Sequence, residues 1–192
     1  MVRSVAERIQ GFLLRPSKTF DARKEDSFTD VFRYYISLLI KYAILASLTG
    51  FLTLIELMPE PSIRVAGLYD AAILVSSGCG KMGLFLFPVV LFLTSVVILM
   101  AAAIAAGLWT HLWVHLAEGR NGITQTMNAV MHGATPFFVL GWIPHAALIG
   151  IVWSAVVQVI GLTQTQGIPA KRAVAAYAVS LLPLVIILIA SL

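Results

Sequence analysis

The chain has 192 residues, of which 59% are hydrophobic and 11% charged, with mean hydropathy +0.93 and a formal net charge of +4. Soluble domains carry about a quarter charged residues, so this composition excludes an ordinary water-soluble fold. A single cysteine, Cys79, excludes an internal disulfide and a cysteine-rich metal centre.

Residues 1–33 hold most of the charge and form a cytoplasmic N-terminal segment in this reading. They are too charged for a cleavable signal peptide, which needs an apolar core soon after a short basic start. Val5, Ile9, Phe12 and Leu13 fall at helical spacing among Arg3, Arg8 and Arg15. That pattern fits a short amphipathic helix in the headgroup layer, or equally a helix packed on the spans. Pro16 stops it, and Phe20 offers a second apolar anchor. The mixed charges from Asp21 to Asp26 read as a solvated loop, and Ser27 with Asp30 as a capping signal.

The remainder, residues 34–192, reads as a transmembrane domain. The class is all-α: a polytopic transmembrane bundle of five helices. A β-barrel would instead alternate over strands of about 10 residues. The first span covers Tyr34 to Leu57, 24 residues, or roughly 36 Å of helix. Lys41 lies inside it, and its long stem fits snorkelling toward the nearer headgroups. Glu56 and Glu60 bracket Met58-Pro59 and mark a wet far end. Residues 59–83 form a loop in which Ile63–Val75 suits a surface helix. Ser76-Ser-Gly-Cys-Gly-Lys-Met-Gly83 is a flexible turn. It is no phosphate loop, because that motif needs four residues between its glycines and Ser or Thr after the Lys.

The second span runs from Leu84 to Leu116. Ala102 with Ala106, and Ala103 with Gly107, present small residues at a spacing that lets another helix approach closely. Trp109 and Trp113 suit the interfacial belt. Glu118-Gly-Arg-Asn-Gly122 is a polar turn. After Arg120 come fifty residues without a charge, up to Lys171. They hold the third span, Ile123 to Leu140, kinked at Thr135-Pro136, and the fourth, Pro144 to Leu162. Gly141-Trp-Ile-Pro144 joins the two. Residues 163–169 form a polar loop, Pro169 opens the fifth span, and Pro183 bends it.

With five spans and the N-terminus inside, ten of the thirteen basic residues are cytoplasmic and two lie outside. The positive-inside rule thus places the N-terminus in the cytoplasm and the C-terminus outside. The basic N-terminus precedes a span, so it fits lipid headgroups and not nucleic acid.

Several stretches resemble the Yip family, the Ypt- and Rab-interacting membrane proteins, in its prokaryotic form. Phe12-Leu-Leu-Arg-Pro16 with Phe20 is similar to the family's opening P-x-x-x-F. Gly119-Arg-Asn-Gly122, Gln125-Thr-Met127 and Thr135-Pro136 are similar to its polar turn and following span. Ile143-Pro144, Trp153, Ile160-Gly-Leu162 and Lys171-Arg-Ala173 resemble its fourth span and the entry to its fifth. The resemblance implies five transmembrane helices and a cytoplasmic N-terminus. In eukaryotes it implies vesicle traffic and lipidated small GTPases; in a prokaryote it implies the cell membrane and no such GTPase. It carries no catalytic motif and no cofactor.

The histidines are the remaining chemical signal. His111 and His115 share a helix face at i, i+4. With His132, at matching depth in a hairpin, they form a candidate metal or proton site near the cytoplasmic leaflet, with Asn128 beside it. The same residues also suit hydrogen bonds between helices. His145 belongs to no site, and Gln158 reads as a fastening between helices. The expected role is non-enzymatic: organising the bilayer, other membrane proteins or further copies of itself. A small oligomeric transporter or channel is the alternative.

Overall fold

The computed structural model describes residues 5–55, 73–74, 77, 82–183 and 186. All regular structure among them is helical. The expected surface helix at Ile63–Val75, the turn at Ser76–Gly83, the wet segment at Glu56–Glu60 and the end of the fifth span lie wholly or largely outside the described residues. The helices are α1 (Val5–Leu14), α2 (Pro16–Asp21), α3 (Phe28–Leu54), α4 (Gly83–Leu116), α5 (Ile123–Gly133), α6 (Thr135–Leu140), α7 (Ala147–Gln166) and α8 (Ala170–Ser180).

Among the described residues, three stretches are long and apolar enough to cross a bilayer: Phe28–Leu54, Phe85–Leu116 and Ala147–Gln166. The second has mean hydropathy 2.7, and it leaves Phe85, Val97 and Leu116 about two-thirds exposed or more. Exposed apolar surface on that scale is stable only where the solvent is lipid.

Local chemistry accounts for the helix ends. Ser27 caps α3: its Oγ accepts the Asp30 N–H at 3.2 Å and donates to the Asp30 carboxylate at 2.7 Å. The helix therefore begins at Phe28, six residues before the expected entry at Tyr34; the cap sets the helix start, whatever the depth of the membrane. Pro16 ends α1 as expected and opens α2.

The expected third span is two helices, α5 and α6, meeting at Ala134. Pro136 has no N–H to give the carbonyl four residues back, that of His132. Thr135 Oγ1 fills the gap, donating to His132 O at 2.6 Å.

The fourth span differs at both ends from its expected bounds. Pro144 does not open it, because His145 sits at φ +69° and breaks any helical continuation. α7 starts at Ala147 and runs through the expected polar loop to Gln166, where Gly167 at φ +68° terminates it. Thr163 Oγ1 bonds back to Ile160 O at 2.7 Å, and Thr165 and Gln166 find partners described below. Pro169 caps α8, which ends at Ser180, three residues before Pro183.

The chain falls into two compact units. One comprises Met1–Tyr34, Ala103–Thr135 and Ser154–Leu192. Its core joins Val114, Ala129, Leu162, Ile168, Ala173 and Ala176. Gly107 lets Met127 lie directly against the α4 backbone, and Gly133 does the same for Gln158. The other unit comprises Tyr35–Ala102 and Pro136–Trp153. There Tyr42 packs on Phe137 and Phe138, and Tyr35 OH donates to Leu99 O at 2.9 Å. A second cluster of that unit centres on Phe87 and Leu91.

Candidate functional site

The polar residues of the first unit converge on His132. Its ring is fully buried. Phe12 stacks on it with centroids 4.6 Å apart, Tyr34 lies at 5.0 Å, and Phe20 meets it edge-on at 6.2 Å. The N-terminal segment is therefore folded down onto the protein, and Phe12 and Phe20 are both 0% exposed. Of the two readings open in the sequence, packing on the spans is the one the structure shows. Gly161 makes room for it, since a Cβ there would stand 2.7 Å from Phe20 Cζ.

His132 Nδ1 lies 2.7 Å from Asn128 Oδ1 and 3.2 Å from Asn128 O. Both are acceptors, so Nδ1 carries the hydrogen. The Asn128 amide is then oriented to donate from Nδ2 to Arg23 O at 3.2 Å. His132 Nε2 is a buried lone pair with no hydrogen-bond partner among the described residues. Above the Tyr34 ring lies the Arg8 guanidinium, 5.6 Å from its centroid. Arg8 and Arg23 both approach Asp26, at 3.6 and 3.5 Å, with all three side chains about 16% exposed. The expected solvated loop is thus partly folded in. The Tyr34 hydroxyl meets Thr135 Oγ1 at 3.1 Å, closing the ring of contacts.

A second group adjoins it. Gln166 Nε2 donates to Thr126 Oγ1 at 2.9 Å and to Gly122 O at 2.8 Å, while Gln166 Oε1 accepts from Asn121 N at 3.1 Å. Asn121 Nδ2 donates to Thr165 O, Thr165 Oγ1 to Gln125 O, and Gln125 Nε2 to Lys24 O. His111 Nδ1 meets Thr126 Oγ1 at 2.8 Å. Gln164 Nε2 reaches Ser17 Oγ at 3.0 Å, and Arg172 pairs with Glu118. Three polar stretches, residues 17–24, 118–126 and 164–172, are thereby tied together.

The structure sets His132 against Asn128, one turn away on α5, and His111 against Thr126 on the same helix. The His111 and His115 rings lie 6.4 Å apart. No group of three or more His, Cys, Asp or Glu among the described residues is placed to hold a metal ion. Gln158 packs its stem against Gly133. His145 lies exposed in the turn of the other unit. Trp109 donates Nε1 to Ser180 O at 3.0 Å, and Trp113 turns toward the core. The Asn121, Thr165 and Gln166 contacts escape sequence reasoning. Their one signal is a cluster of uncharged amides and hydroxyls at the ends of otherwise apolar helices.

Apolar helices with outward-facing Leu, Ile, Val and Phe, closing over an uncharged hydrogen-bonded interior, define a helical integral membrane protein. The family profile described as the Yip1 domain matches residues 11–192, nearly the whole chain, and the chain belongs to that family. Neither the curated proteins nor the solved structures gave a match.

Proposed function

We propose that this Yip1-family protein is a non-enzymatic organiser of the membrane, threading the bilayer five times with its N-terminus in the cytoplasm and its C-terminus outside. One observation carries the reading: the polar residues around His132 are sealed by the N-terminal segment and neighbouring side chains. Thr126 and His132 are 0% exposed and Asn128 1%; Thr126 bonds to Gln166 and His111 on other helices, Asn128 to Arg23 of the N-terminal segment, and His132 to Asn128 on its own helix beneath the Phe12 ring. They fasten helices together. The clasp between residues 17–24, 118–126 and 164–172 supports the orientation, because all three stretches fall on one side in a five-span path with the N-terminus inside. That side also collects most of the basic residues.

The partners are the bilayer and other membrane proteins or further copies of this chain, with a small GTPase among them only in a eukaryotic setting. Ala103 and Gly107 are used internally, whereas Ala102 and Ala106 remain exposed on α4 and accessible to another helix.

Flux through proteoliposomes tests the role. The expected result is no passage of ions or small solutes above protein-free vesicles. Passage that responds to His132→Ala would replace this reading with a transporter. Reporters fused before Met1 and after Leu192 should face opposite compartments; the same compartment for both would refute the five-span path.

A further inference from the structure

Between α1 and α2 lies an open groove of about 640 Å³, whose lining includes Glu7, Gln10, Leu14, Arg15, Lys18 and Thr19. That volume falls within the range of small-molecule sites, roughly 300–1,000 Å³. The charges around it are unequally used. Arg8 and Arg23 approach Asp26, Lys24 pairs with Asp21, and Arg172 pairs with Glu118. Arg15 and Lys18 have no ion pair among the described residues, and both are exposed. Glu7 is engaged in a contact of its own. Two cations against one carboxylate leave the groove cationic. Leu14, the last residue of α1 and next to Arg15 in sequence, is 69% exposed. A large apolar side chain held out beside two unpaired cations matches a molecule with an anionic head and an apolar tail.

We propose that the α1–α2 groove binds the phosphate headgroup of an anionic phospholipid, with Arg15 and Lys18 holding the phosphate and Leu14 against the acyl chains. A free phosphate shares the headgroup chemistry but leaves Leu14 without a role. The inference rests on the membrane placement of the chain and not on its organising role, so failure of the flux test leaves it standing.

The test uses the full-length protein in detergent, with phosphatidylglycerol and phosphatidylcholine added in competition and retained lipid counted by native mass spectrometry. Phosphatidylglycerol should be retained preferentially. Each cation near a charged lipid surface contributes about a fivefold change in affinity, so Arg15→Gln with Lys18→Gln should reduce retention by at least about tenfold. The charge-preserving exchange, Arg15→Lys with Lys18→Arg, should keep it and guards against a folding defect. Arg120→Gln with Lys171→Gln alters exposed basic residues of the same unit that do not line the groove, and should leave retention unchanged. Equal retention of the two lipids, or an equal loss in the control pair, would overturn the site. Displacement of the lipid by inorganic phosphate at matched concentration would make it a soluble-anion site and overturn the lipid assignment.

Discussion

The Phe12 ring lies over His132 at 4.6 Å with 28° between their planes, joining residues 120 positions apart in a fully buried contact. It holds the N-terminal segment to the protein. Replacing Phe12 with Ala removes a buried aromatic, at a cost of about 3–5 kcal/mol. The expected outcome is a lower thermal transition in detergent and an opened face on His132. Imidazole acylation with mass-spectrometric mapping reads this directly: exposed His115 should react in both proteins, His132 only in the variant.

Gly161 is the socket for Phe20. An added methyl would stand 2.7 Å from Phe20 Cζ and 3.0 to 3.1 Å from Ala129, so Gly161→Ala should unseat the ring. Overpacking of this kind costs about 1–3 kcal/mol. Limited proteolysis should cut the variant faster within residues 15–26 than the parent. An unchanged cleavage pattern would mean that Phe20 is not held there.

Thr135 supplies what Pro136 cannot. Thr135→Val strips the donor from His132 O and the partner from Tyr34 OH, both buried, and should cost about 1–3 kcal/mol. Pro136→Ala restores a backbone N–H for the same carbonyl. In that background the Thr135→Val penalty should shrink, and a double-mutant cycle on unfolding in detergent measures the difference.

Glu118 occupies a left-handed conformation, φ +69°, just past the end of α4. Its N–H bonds His115 O and the Gly119 N–H bonds Val114 O, the pattern glycine usually serves. The conformation costs a non-glycine residue about 1–2 kcal/mol, whereas an exposed ion pair such as that with Arg172 contributes about 0–1 kcal/mol. Glu118→Gly should therefore leave stability unchanged or raise it, while Arg172→Ala should lower it only slightly. A large loss in Glu118→Gly would show that the pair dominates.

Much of the architecture is legible in the chain. The membrane class follows from the fifty uncharged residues, the start of α3 from Ser27 and Asp30, and the break between α5 and α6 from Pro136. The pairing of Asn128 with His132 follows from one helical turn. What stays hidden depends on contacts distant in sequence. Phe12 and Phe20 look the same in sequence whether they meet lipid or protein; His132 and Tyr34 receive the one, and the space at Gly161 receives the other. Thr163 to Gln166 reads as a loop by composition, but partners on Asn121, Gln125 and Thr126 draw it into helix. His111 has His115 one turn away on its own helix, yet it bonds to Thr126 on the next.

The clasp among the polar stretches is largely one of side-chain amides reaching for main-chain oxygens: Asn128 to Arg23, Gln125 to Lys24, Asn121 to Thr165 and Gln166 to Gly122. Every residue type presents the same oxygen. The identities of Arg23 and Lys24 are thus unconstrained by those bonds, while Asn121, Gln125, Asn128 and Gln166 are bound to their chemistry. Lys24, otherwise in an exposed pair with Asp21, can therefore be exchanged without loosening its joint, whereas Arg23 is held by partly buried Asp26 as well.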